Sequence, residues 1–180
     1  MPQLSNAPDI NITINEGSNL IDSELLDQIR NMDGVKRVFG RRDKLNIEAQ
    51  VNSKNSTIDM ISYDSFDLDC LKKDDQLKKG NNLSKVYGDS KYVLAIWDKD
   101  NPLKVGDKIQ VNNEKVEIAG LLKWNPFSDD GSPNGKTTII TSDRTFTRIT
   151  GVNGYSLVTV QMKNNATDEN VICLLYTSPS

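Results

Sequence analysis

The chain has no histidine and only two cysteines in 180 residues. Without His, the usual general base near neutral pH and the commonest metal ligand are missing, and a Ser-His-Asp triad cannot form. Cys70 and Cys173 are too few for a four-ligand structural zinc site, and a pair of cysteines does not settle the redox compartment. They could bridge only if both were exported. Long hydrophobic runs are lacking too. No apolar run outlasts Tyr92–Trp97, against the roughly 20 residues a membrane helix needs. Met1-Pro2-Gln3-Leu4 has neither the basic start nor the apolar centre of a signal peptide. The expectation is a soluble stretch, and a domain cut from between membrane helices would look the same. A net charge of -3 without any Lys/Arg block gives no pull toward nucleic acid or an anionic membrane surface.

What is present is β-patterning with short helices between. In Lys104-Val105-Gly106-Asp107-Lys108-Ile109-Gln110-Val111, the apolar Ile109 and Val111 alternate with polar residues, and Val116 and Ile118 do the same after Lys115. A period of two marks half-buried strands. Asn112-Asn113 between them tolerates the positive φ of a tight hairpin. Gly106-Asp107 turns into the first strand, and Gly120 suggests a bulge or a close backbone approach where the second ends.

Ile10, Ile12 and Ile14 predict a first strand. Asp22 or Ser23 then caps a helix with Glu24 in its first turn. Leu25, Ile29 and Met32, widened by Leu26, give that helix an apolar face. Gly34 ends it as a left-handed cap. Val35–Arg41 reads as a strand, Leu45–Val51 as another, and Thr57–Tyr63 as its antiparallel partner across the polar turn 52–56. Residues 64–80 scatter Phe66, Leu68, Leu71 and Leu77 among charges, which predicts short helical turns. Tyr92–Trp97 reads as a buried strand, with a helix following or replacing part of it. Thr137–Thr141 is a short strand, Ser142 caps a helix to about Thr150, and Tyr155–Met162 is the last strand. The fold class is α+β with two related strand-helix-strand halves.

Several motifs invite chemistry and do not support it. Gly131-Ser132-Pro133-Asn134-Gly135-Lys136-Thr137 has three residues between its glycines, where a P-loop has four. The β-branched run after Lys136 reads as a strand, not the helix a phosphate cradle needs. Asp64, Asp67, Asp69, Asp74 and Asp75 fit no EF-hand spacing, and Asp98-Lys99-Asp100-Asn101 runs straight into Pro102. Solvated surface charge is the better reading of both. Trp97 and Trp124 read as core residues before they read as ligand platforms. The apolar Cys173-Leu174-Leu175-Tyr176 follows a very polar stretch, so 171–180 reads as a truncated or non-native tail. No catalytic, cofactor-binding or metal-ligating residue is assigned from the sequence, and no cofactor is expected.

The order of these elements resembles the MacB-type periplasmic core domain of FtsX-like ABC transporter permeases. Ser23-Glu24-Leu25-Leu26-Asp27-Gln28-Ile29-Arg30-Asn31-Met32-Asp33-Gly34-Val35 is similar to that family's helix ending in a short turn and Gly-Val. Val105-Gly106-Asp107-Lys108-Ile109 with Val116-Glu117-Ile118-Ala119-Gly120 resembles its central hairpin. Thr138-Ile139-Ile140 followed by Phe146-Thr147-Arg148-Ile149-Thr150-Gly151 resembles its late strand and helix. The likeness runs from about residue 10 to residue 170. Tyr92–Asp98 departs from the family's small-residue helix before the hairpin, and the loop 124–135 matches no partner-binding element.

The resemblance implies a two-lobed, non-enzymatic domain outside the membrane. Residues 1–62 and 126–170 would form a porter-like lobe from strand-helix-strand halves, and 63–125 an inserted mainly-β lobe. Membrane helices would flank the domain in a homodimeric permease, and an ABC ATPase subunit or domain would act on it indirectly through them. Export, lipoprotein extraction and peptide sensing stay open, as does an extracytoplasmic partner protein. The alternative from another class is a secreted or surface-attached binding module unrelated to transport.

Overall fold

The computed structural model describes residues 9–13, 21–73, 77–78, 82–100, 102–123 and 136–163. The elements are β1 (Asp9–Thr13), α1 (Ser23–Arg30), β2 (Val35–Val51), β3 (Lys54–Tyr63), α2 (Ser65–Lys73), β4 (Tyr92–Ile96), β5 (Lys108–Val111), β6 (Glu114–Leu122), β7 (Thr137–Ser142), α3 (Asp143–Thr150) and β8 (Leu157–Met162). A 3-10 turn at Leu83–Lys85 precedes β4. The class is α+β, as the patterning predicts. The described residues up to Arg42 and from Asn153 onward form one compact unit, and Asp43–Val152 form a second.

The first unit is a three-stranded antiparallel arrangement in the order β1-β8-β2 with α1. Asp22 caps α1 by accepting the Leu25 N–H at 2.8 Å. The helix ends at Arg30, with Asn31 as its cap. Gly34, at φ 83°, therefore makes the turn into β2 rather than closing the helix. Leu26 of α1 is buried, packing with Ile21, Val38, Val158 and Val160, and Ile29 joins it half-buried. Leu25 and Met32, expected on the apolar face, stay exposed: on so short a helix only one side can reach a sheet of three strands.

In the second unit the strand order is β2-β3-β7-β4-β6-β5, and β5 pairs back onto β2 at Gln50↔Gln110 and Val51↔Ile109. The sheet closes on itself, so these strands leave no edge free along the closing register. Two parallel pairings, β3 with β7 and β4 with β6, hold the closure together with antiparallel ones. Inside, Ile58, Met60, Val93, Ile109, Val116, Ile118 and Ile139 form one apolar core, to which α3 adds Phe146 and Ile149. Each such side chain contributes about 1.5–3 kcal/mol on leaving water. Every residue of β7 is buried, because a strand paired on both sides and covered on both faces must be apolar or satisfied throughout.

The hairpins form as expected. Asn112 and Asn113 take φ 48° and 64° at the β5–β6 tip, the paired positive angles that a two-residue turn requires. Asn52 and Ser53 do the same between β2 and β3 at 51° and 68°, a tighter turn than the polar stretch 52–56 suggests. The pairing of β6 with β4 slips between Val93↔Ile118 and Leu94↔Gly120, skipping Ala119, which is the bulge expected at Gly120. Ser142 caps α3 and Gly151 ends it at φ 74°.

Two readings of how the chain is divided also change. Val35–Arg41 and Leu45–Val51 are a single strand, since Arg42-Asp43-Lys44 contains no breaker and each half finds its own partner. The chain also divides after Arg42 and after Val152, not at 62/63 and 125/126. Residues 43–62 and 136–152 sit in the second unit because β3 pairs in parallel with β7 from Ile58↔Thr137 to Tyr63↔Ser142. Ile14, the loop 124–135 and the tail 171–180 lie outside the described residues.

Candidate functional site

The acidic run of α2 separates into different tasks. Asp64 accepts the Asp67 N–H at 2.9 Å and so caps the helix. Asp67 is buried, and Asp69 faces outward. Asp74 and Asp75 lie outside the described residues. No group of metal-binding side chains gathers among the described residues. Asp98 is buried and accepts the Asp100 N–H at 2.9 Å, a local turn of the kind Asp favours before Pro102. Cys70 is buried in α2, and Cys173 is not among the described residues.

Trp97 is partly buried against the apolar core of the second unit, and the Lys78 ammonium sits 4.2 Å from its ring centroid. That is the core reading, with a cation–π contact on its outer face. Lys136 donates to Asn46 Oδ1 at 2.9 Å and lies 3.6 Å from Asp59 Oδ2. Thr137 after it begins β7. The lysine of the P-loop-like stretch therefore precedes a strand, as its β-branched sequence predicts, and has anionic and amide partners. Trp124 lies outside the described residues.

Two features were not legible in the sequence. The first is a cleft of about 440 Å³ in the second unit between α2 and the segment 82–87. Leu71, Leu77 and Leu83 are its buried apolar floor. On its rim the Tyr87 hydroxyl donates to Asp69 Oδ1 at 2.5 Å. Burial, that hydrogen bond and the carboxylate's charge, in that order, raise the Tyr87 phenol above its ordinary value. It is therefore held as a neutral donor. A neutral phenol that donates and an exposed carboxylate that accepts are groups able to hold a polar ligand by hydrogen bonds. No spacing rule joins positions 69 and 87, so no local signal could have found the pair.

The second is a polar network around the N-terminus of α3. Ser142 Oγ accepts the Thr145 N–H at 3.2 Å and donates to the Gly88 carbonyl. Thr145 Oγ1 accepts the Ser90 N–H at 3.0 Å. Arg148 then spans Glu114 through Nε at 2.9 Å, the Ser90 carbonyl at 2.8 Å and the Asp89 carboxylate. The guanidinium pKa is raised, chiefly by the Glu114 hydrogen bond. This network fixes the approach to β4.

Among solved structures the fold has clear likenesses. It matches the extracellular domain of the noncanonical ABC-type transporter YknZ from Gram-positive bacteria with a TM-score of 0.62 and 17% identity, covering 88% of this chain and 86% of that one. It matches the periplasmic region of MacB from Actinobacillus actinomycetemcomitans at 0.60 and 12% identity, over 92% and 79% of the two chains. A domain of a protein described as a permease, from Porphyromonas gingivalis, matches at 0.56 and 10% identity, over 89% and 73%. No family model matches the sequence, and no curated protein matches it. The likeness is one of fold: this chain has the fold of the extracytoplasmic domains of MacB-type ABC transporter permeases.

Proposed function

We propose that this chain is the extracytoplasmic domain of an ABC transporter permease, and that it couples ATP-driven movement of flanking membrane helices to export or extraction of a substrate. The carrying observation is the breadth of the fold likeness, 88% of this chain on 86% of the YknZ domain. A match of both lengths, rather than of one shared motif, is what a domain of the same kind gives. The domain itself does no chemistry in this reading: the closure of its second unit packs apolar side chains, and the cleft beside α2 presents recognition groups. An ATPase subunit or domain acts on it through the membrane helices, within a homodimeric permease. Such coupling needs a body that moves as a unit with the helices it is joined to.

The parent reading frame on both sides of these residues tests the proposal. Membrane helices before and after, with an ABC ATPase encoded in the same gene or beside it, are expected. A signal peptide upstream and a stop codon with no membrane helix downstream would replace it with a secreted binding module.

A further inference from the structure

We propose that the cleft beside α2 binds a free α-amino acid with an apolar side chain, its ammonium on Asp69, its carboxylate on Lys72 and its side chain on the leucine floor. The volume of about 440 Å³ falls within the roughly 300–1,000 Å³ typical of small-ligand sites. Leu71, Leu77 and Leu83 give it an apolar floor.

The charges decide the class of ligand. Asp69 and Lys72 stand three apart on α2, one above the other on the same side of the helix. At that spacing they can neutralise each other. They do not: Asp69 turns one oxygen to the Tyr87 hydroxyl, and Lys72 has no hydrogen bond or ion pair among the described residues. Among the described residues, opposite charges thus stand open, a helical turn apart, over one apolar floor. A simple anion entering there meets Asp69, and a simple amine meets Lys72. An uncharged apolar molecule leaves both charges without a partner. A molecule with both charges close together and an apolar body satisfies all of these surfaces, and an α-amino acid is the smallest such molecule. The Tyr87 contact holds the Asp69 side chain in place, so less ordering remains for the ligand to impose. This inference does not depend on the transporter reading.

The test is a titration of the 180-residue chain, isotope-labelled and followed by amide resonances, with L-leucine, N-acetyl-leucine and leucinamide. Leucine is expected to shift amides of α2 and of 82–87 saturably in the millimolar range. Blocking either charge is expected to weaken binding by about tenfold or more. Asp69→Asn should abolish the preference for leucine over N-acetyl-leucine, and Lys72→Met the preference over leucinamide. The unchanged remainder of each spectrum shows that the variant is folded. No saturable shift with leucine, or equal affinity for N-acetyl-leucine, overturns the proposal. A failure here leaves the membrane helices of the parent gene, and so the transporter reading, untouched.

Discussion

The ring of Tyr155 lies directly on Gly40: a Cβ at that glycine would stand 2.4 Å from the ring's Cδ1. An aromatic side chain occupies the space that any other residue on β2 would claim. The ring is held from several directions, with the Arg42 guanidinium 4.9 Å from its centroid and the Tyr155 backbone exchanging hydrogen bonds with Ile21 at 2.9 and 2.7 Å. Aromatic cover of a strand glycine is a recognised device for keeping such a position stable in a sheet.

Gly40→Ala is accordingly expected to destabilise the first unit by about 1–3 kcal/mol, the usual range for overpacking. Urea unfolding measures it. In a Tyr155→Ala background the same substitution should cost clearly less, because the clash has been removed. Equal costs in the two backgrounds would show that the ring does not set the constraint.

Ser142 both caps α3 and binds the Gly88 carbonyl. Loss of a helix cap costs about 0.5–2 kcal/mol, and Ser142→Ala should fall at the upper end because a second partner is lost with it. Ser65→Ala, an exposed residue at the start of α2, serves as the control and should change stability by less than about 0.5 kcal/mol. Thermal melts of the two variants side by side make the comparison.

Ile118→Ala removes a fully buried side chain from the core of the closed sheet and is expected to cost about 2–5 kcal/mol. Leu45→Ala, at an exposed position on β2, should cost no more than about 0.5 kcal/mol. Denaturant midpoints that failed to separate these variants would contradict the placement of the core.

Tyr87 has a folded-state pKa above the ordinary tyrosine value of 10.0. The stability this contributes is complete below that value and is lost as pH rises from there toward the folded pKa. In an alkaline titration read by tyrosinate absorbance, Tyr87→Phe should therefore remove no step in the ordinary range. Asp69→Asn should bring an additional step down toward it, since the carboxylate's hydrogen bond and charge are part of the cause. A normal step missing from the Phe variant would mean that the phenol is not held as described.

Residues close in sequence determined much of this protein. Asn112-Asn113 made a hairpin because two positive φ angles are needed there and Asn tolerates them. Asp22 and Ser142 began helices because their oxygens reach backbone N–H groups three residues on, and Gly151 ended one because it accepts a left-handed angle. The order of these local elements was enough to suggest the fold. What the tertiary structure alone decided is which strands meet. Alternation tells which face of a strand is apolar but not which neighbour takes its hydrogen bonds. The parallel pairing of β3 with β7, the return of β5 onto β2 and the unbroken run of β2 were thus invisible locally. The cleft follows the same rule, for Asp69 and Tyr87 come together only because the chain between them folds back across β6 at Leu77↔Leu122.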